Sequence, residues 1–311
     1  MAVYQFMAQL FPDPDVCDYV LTLFASFLDG HTRDQKCHIF TGLGANGASS
    51  LLELFDLAFG KHITHLQDTI FTQKKCGVAR TNFKNKRAVF IQQNEFGQKF
   101  YGGILKELCG HDSFFCCPLY GDPFECKPQF KLLYSCNHLP SFHDPNAGIF
   151  RRIDVIELKS RFVDNPDPKN RYEFKRDPNL SQKLYGWKEA FMYILLEHYK
   201  IYKKQGLIVP VAVLNRTREY QKMNDISNAY TEFVDDCLEK DPNCSIKLDQ
   251  TYQIFKGWWK ESFGSKIPTR NDMKAHLTSI LGQYLSGSEG GWHGYKFVIN
   301  NTIDQIMDLQ I

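Results

Sequence analysis

The sequence predicts an α/β fold followed by a smaller, mainly helical region. Three observations carry that prediction. Short apolar strands alternate with helical stripes from about Asp34 to Leu158. A glycine-rich turn, Gly42-Leu43-Gly44-Ala45-Asn46-Gly47-Ala48-Ser49, lies between the first of those strands and a helix. After about Pro210 the pattern becomes almost wholly helical.

In chain order, residues 1–33 read as a helical lead-in. Val16, Tyr19, Val20, Leu23, Phe24 and Phe27 form an apolar stripe after a Pro-Asp-Pro-Asp start, and Asp29-Gly30 ends it. Residues 34–210 form the expected core, with strands at Cys37–Phe40, Ala88–Ile91, Phe130–Ser135 and Ile153–Leu158. Pro166, Pro168 and Pro178 among many charges make 161–180 a surface excursion, and Trp187 to Lys203 is an amphipathic helix. Residues 211–311 show helical patterns at Glu219–Leu238, Thr251–Phe263 and Asn271–Leu285. A hairpin-like end follows from Gly287 to Ile299, which completes the outline of a winged helix.

Composition narrows the function classes. With 43% hydrophobic residues, 311 positions suffice for a real core, and a formal net charge of +2 gives no bulk attraction to nucleic acid. No apolar run reaches the ~20 residues of a membrane helix, and the N-terminus has no secretory pattern. The ten cysteines lack paired C-x-x-C spacing. Cys116, Cys117 and Cys126 with His111 and His138 do not match zinc-ligand spacing, so reduced core thiols in a reducing compartment are expected.

The glycine turn has the form G-x-x-x-x-G-K-[ST], whose backbone N–H groups curl round phosphate oxygens ahead of a helix N-terminus. Gly42, Gly44, Ala45, Asn46, Gly47, Ala48, Ser49 and Ser50 are the candidate nucleotide-binding residues, with Ser49 the candidate Mg²⁺ ligand. Ala48 stands where the pattern has its lysine. An ATPase core also needs an acidic group at the end of a second strand, but here Gln92 and Gln93 follow the apolar run and Glu95 comes two residues later. Gln93 keeps the shape of a carboxylate without its basicity; it reads equally as a solvated strand end. Asn137 ends a further strand, where it could bond a γ-phosphate or form a turn. Arg151-Arg152 precede the last strand, as arginine fingers acting in trans or as surface ion-pair partners.

Taken in order, these motifs, with Ile104–Asp112, Leu139-Pro140 and Arg161–Pro166, resemble superfamily 3 helicases of the poxvirus-type helicase–primase family found in large DNA viruses. The resemblance continues through Glu219-Tyr220, Tyr252–Trp259 and Gly291–Phe297, and so spans nearly the whole chain. It implies an AAA+-like P-loop core with a C-terminal winged-helix-like domain, assembled as a homo-hexamer in the full-length protein. It also implies ATP and Mg²⁺ as cofactors, single-stranded or forked DNA as partner, and a primase domain N-terminal to this segment. By the same resemblance Asn137 is the sensor and Arg151 or Arg152 the finger. Leu119 to Phe124 would form a channel hairpin whose Tyr120 or Phe124 stacks on bases while Lys127 meets phosphates. The expected place of action is the host cytoplasm or viral replication site.

Ala48, Gln93 and Cys117 depart from the family pattern. Ala48 and Gln93 have the form of substitutions that block ATP turnover, whether engineered or natural, so the expectation is a hydrolysis-deficient chain. A catalytically silent DNA-binding or structural ring subunit is the alternative. An initiator-like protein that reads DNA through 216–311 is a second.

Overall fold

The computed structural model describes residues 2–72, 83–93, 99–116, 122–143, 145–224, 226–263, 267–285 and 290–298. Two compact units divide the chain, Met1–Asn224 and Asp225–Ile311. The first contains α1 (Ala2–Leu10), α2 (Pro14–Ala25), β1 (Cys37–Thr41), α3 (Ala48–Phe59), β2 (Ile63–Gln67), α4 (Thr69–Thr72), β3 (Ala88–Gln92) and β4 (Lys99–Phe100). It continues with α5 (Gly102–Cys109), β5 (Phe114–Cys116), β6 (Phe124–Cys126), β7 (Lys131–Cys136), β8 (Ser141–Phe142) and α6 (Ala147–Phe150). Then come β9 (Ile153–Glu157), β10 (Arg161–Val163), β11 (Glu173–Lys175), α7 (Leu180–Gln205) and α8 (Val211–Met223).

Five strands form one sheet in the order β2-β3-β7-β1-β9, with every neighbouring pair parallel. A parallel sheet needs cover on both faces, and successive side chains alternate between them. Phe40, Phe90, Leu133 and Ile156 enter one core with α1, α2, α3 and α7. Ile39, Val89, Ile91, Leu132, Tyr134 and Val155 enter a second core with α5 and Tyr220 of α8. Phe24 is fully buried at the centre of the first, its ring against those of Phe27, Phe40, Phe55 and Phe191.

The four expected strands are present, each within a few residues of its expected bounds. β2 is an addition: on the sheet edge only its first residue, Ile63, is buried, and its Thr, His and Gln interrupt the apolar signal. The lead-in is part of the core rather than an appendage, because Val3, Phe6, Leu10 and the α2 stripe pack into the first cluster. Asp13 caps α2, its carboxylate accepting from Asp15 N at 3.1 Å with Pro14 opening the helix. The first unit also extends past the expected boundary at 210. Val155 N donates to Thr217 Oγ1 at 2.9 Å, and Tyr220 OH donates to Pro140 O, so α8 is fastened to the sheet.

The second unit contains α9 (Ile226–Cys237), β12 (Leu238–Ile246), α10 (Leu248–Phe263), α11 (Arg270–Leu281) and β13 (Trp292–Phe297). Its core includes Tyr230, Phe233, Phe255, Trp259, Met273, Leu277 and Trp292. Thr269 and Asp272 form a reciprocal capping box on α11. β13 pairs antiparallel with the distant β12 instead of closing a local hairpin, and Leu285 bridges Gly291 on its other side. Helix, strand, two helices and a returning strand make the winged-helix-like arrangement the sequence outlines; the helix expected over Glu219–Leu238 is divided into α8 and α9, and β12 follows from Leu238.

Candidate functional site

β1 ends at Thr41 between β7 and β9, and the chain then turns through 42–47 into α3. Ligands of open α/β sheets bind outside the carboxyl ends of the strands, where such turns lie. Two glycines are required here. A Cβ on Gly42 would lie 2.4 Å from Leu158 O and 2.9 Å from Asn46 Nδ2, and Gly47 has φ +81° with a Leu10 methyl 2.4 Å from its ideal Cβ. Ala45 also has positive φ, +61°. Alternating left-handed positions curl the backbone into the concavity that gathers N–H groups for an anion. Asn46 is buried and shapes this turn from inside: its Oδ1 accepts from Ala48 N at 3.0 Å, satisfying a donor of the α3 first turn. Gly44 and Ser49 are exposed, while Ala48 and Ser50 are half-buried on that first turn.

The ends of β3 and β7 meet beside the turn. Gln93 N donates to Ser135 O at 3.0 Å, and Gln93 Oε1 accepts from Asn137 N at 2.9 Å and His138 N at 3.2 Å. Gln93 therefore joins two strand ends; its amide oxygen is committed to backbone rather than turned to a water. A carboxylate there would receive the same two N–H bonds, which favour its ionised form. Behind this end of the sheet, burial pushes the Cys136 thiol up to about 12, opposed by its bond to Thr41, so no thiolate faces the turn at neutral pH.

The other candidates lie at the opposite end. Arg151 and Arg152 follow α6 and precede β9, and Arg152 O accepts from Cys37 N at 2.7 Å at the start of β1. The length of β1 separates them from the turn, so they cannot serve the same chain's turn directly. Arg151 is exposed; Arg152 donates to Gly148 O at 2.8 Å. β5 and β6 form an antiparallel pair, Phe114 opposite Cys126, leading through an exposed Lys127 to the start of β7. Phe124 is half-buried and packs on the second core, whereas Phe115 opposite Glu125 is 68% exposed. A strand reading Phe-Phe-Cys gives no sign of which ring faces out. Glu95, Cys117 and Tyr120 lie outside the described residues.

A buried polar group at the same end escaped the sequence reading. Asp154 lies 2.7 Å from Lys36 Nζ and 3.7 Å from His38 Nδ1, and burial lowers the His38 pKa to about 4. Burial also lowers Lys131 to about 8, its Nζ donating to Ser26 O and His31 O.

For a divalent cation the chemistry of this end is thin. Ser49 offers a hydroxyl, and Gln93 offers an amide where a carboxylate would suit a hard cation. Among the described residues no three His, Cys, Asp or Glu converge as a metal cluster. The backbone concavity fits a phosphate better than the side chains fit a metal.

A "Putative helicase" of Acanthamoeba polyphaga mimivirus is 30% identical over 90% of this chain and 30% of its own length. A "Putative helicase" of Frog virus 3 is 27% identical over 93% of the chain and 31% of its own. A "Putative primase" of African swine fever virus is 20% identical over 91% and 31%. The chain is a homologue of these large-DNA-virus proteins. It spans about a third of their length. No protein-family model matches it. Among solved structures, the apo NrS-1 C-terminal region (305–718) superposes with a TM-score of 0.58 at 13% identity, covering 89% of this chain and 63% of that one. An A-form apo structure of the NrS-1 C-terminal region gives 0.57 at 14%, covering 96% and 76%. The shared fold is an α/β P-loop-like core with a parallel central sheet. Among the described residues, no helix is long and apolar enough to cross a membrane.

Proposed function

We propose that this chain is the nucleotide-binding helicase module of a viral helicase–primase, which moves on DNA as a ring during genome replication. The observation that carries the reading is the glycine turn after β1, with Gln93 and Asn137 brought beside it from β3 and β7. Backbone N–H groups of 44–47 and 49 would hold phosphates, Ser49 would hold the Mg²⁺ carried with them, and Asn137 would sense the terminal phosphate. Arg151 and Arg152, at the far end of the sheet, suit a neighbouring copy's nucleotide and not this chain's own. Ala48 removes a cation from the phosphates and Gln93 removes the base, so ATP binding is weak and hydrolysis negligible.

The same two residues favour a second reading, a catalytically silent ring component that binds DNA. Unwinding of forked DNA with ATP, read beside light-scattering mass, separates the two. A hexamer that unwinds forks once Ala48→Lys and Gln93→Glu are introduced supports the motor. Salt-sensitive DNA binding without unwinding in either form supports the silent component.

A further inference from the structure

Three chain segments meet at the amino ends of the sheet strands, the end away from the glycine turn. The 3₁₀ turn Gly60–His62 leads into β2, residues 85–87 lead into β3, and residues 127–130 lead into β7. Together they form an open hollow of about 730 Å³, mouth included, lined by Lys61, His62, Asn85, Arg87 and Gln129. A five-residue strand spans about 16 Å. The hollow is therefore a site of its own, separate from the turn.

Backbone geometry fixes its shape. Gly60 and Asn85 take positive φ, +53° and +62°. Arg87 N donates to His62 O at 2.7 Å. Lys86 Nζ donates to Lys61 O at 2.8 Å and to Ile63 O at 3.0 Å, which pins one loop to the other. Lys61 and Arg87 are left as the cations of the hollow. Arg87 is also held in place: its Nη1 donates to Gln129 Oε1 at 3.3 Å and stands where a Cβ on Gly30 would lie. No carboxylate lines the hollow, and among the described residues none pairs with Lys61, Arg87 or Lys127. A fixed guanidinium, an ammonium and two amides are donors suited to phosphate oxygens.

A neighbouring ring separates nucleic acid from an acidic peptide. Phe83 packs against the rings of Phe114 and Phe130, at 5.9 and 4.9 Å, so β5 is held beside the loop that carries Asn85 and Arg87. Phe115, next along β5, is 68% exposed. Cations beside an exposed ring bind a single strand, phosphates on the charges and bases on the ring face, whereas acidic side chains gain nothing from the ring. Resting on the proposal that DNA is the partner, we infer that this hollow is a further contact for single-stranded DNA, apart from the turn at 119–124. Lys61 and Arg87 hold phosphates there, and Phe115 stacks on a base of the same strand.

The test is fluorescence anisotropy of a labelled oligothymidylate of about 16 nucleotides, titrated with the whole chain over a range of salt concentrations. Lys61→Ala and Arg87→Ala should each weaken binding about fourfold at about 0.15 M salt. Each should also reduce the slope of log affinity against log salt by about 0.7, the worth of one phosphate on a single strand. Gly30→Ala should weaken binding with every charge kept, because it displaces the guanidinium. Phe115→Ala should weaken binding about fivefold or more without changing the slope. Lys200→Ala, the same loss of charge on the exposed face of α7, should change neither quantity. Melting temperatures confirm that each variant folds. Equal effects of Lys61→Ala and Lys200→Ala would reduce the hollow to bulk charge and overturn the inference. Displacement of the strand by polyglutamate at matched charge would overturn it in favour of an acidic protein partner. Binding lost in Lys127→Ala but unmoved in Lys61→Ala and Arg87→Ala would also overturn it, and leave the DNA reading standing. No binding by the parent chain even at low salt would overturn the DNA reading, and this inference with it.

Discussion

Gly42, Gly47 and Asn46 set the shape of the turn, and each has a different reason to be there. At Gly42 the obstacle is Leu158 O, a backbone atom that cannot swing aside. Gly42→Ala should therefore abolish nucleotide binding and cost about 1–3 kcal/mol of stability, the range of ordinary destabilising substitutions; titration with ADP and a urea melt check both. Asn46→Ala removes the acceptor for Ala48 N and should cost about 1 kcal/mol, as loss of a helix cap does. His38 makes a prediction about pH. Burial lowers its pKa to about 4, so the unfolded chain takes up a proton at higher pH than the folded one. Stability is then full above the unfolded pKa of 6.5 and falls as pH drops from there towards 4. Asp154, Lys36, Asp34 and Lys131 surround this histidine, and its two ring nitrogens have no hydrogen-bond partner. By pH 5 the loss from this group is ~2 kcal/mol, and His38→Phe should flatten the melting curve's dependence on pH between 7 and 5 by that order. An equal slope in both forms would contradict the assignment.

At the scale of elements, the strands buried on both faces were legible because they are short, mainly apolar runs. Ala88–Ile91 is unbroken, and in Cys37–Phe40 only His38 interrupts the apolar residues. The edge strand β2 and the solvated β12 were not, since β2 mixes Thr, His and Gln with its apolar residues and β12 is mostly accessible and charged. The glycine turn could be read from composition, because close approach and positive φ leave few other residues possible. The docking of α8 could not: Thr217 and Tyr220 are far in sequence from Val155 and Pro140, and only the fold brings them together. That docking also moved the boundary from 210 to 224. Thr217→Val, which removes the acceptor for Val155 N, should cost about 1 kcal/mol and loosen α8 from β9. Faster amide exchange at Val155 alone would check it.

For the whole molecule, charge is uneven. Residues 225–311 carry 8 Lys or Arg against 12 Asp or Glu, and residues 1–224 carry 29 against 23. Phosphate contacts depend on local cations, so DNA affinity should reside in the first unit. A chain ending at Asn224 keeps both cores that flank the sheet, and should fold and retain salt-sensitive binding to single-stranded DNA; loss of binding on that truncation would assign the contact to the winged-helix-like unit. The central claim is that the glycine turn is a nucleotide site disabled by two residues. Its most direct test is steady-state ATP hydrolysis, with single-stranded DNA present, by this chain and by its Ala48→Lys, Gln93→Glu double variant. Turnover in the double variant alone is the predicted result. Equal turnover in both, or none in a correctly folded and assembled variant, would contradict it.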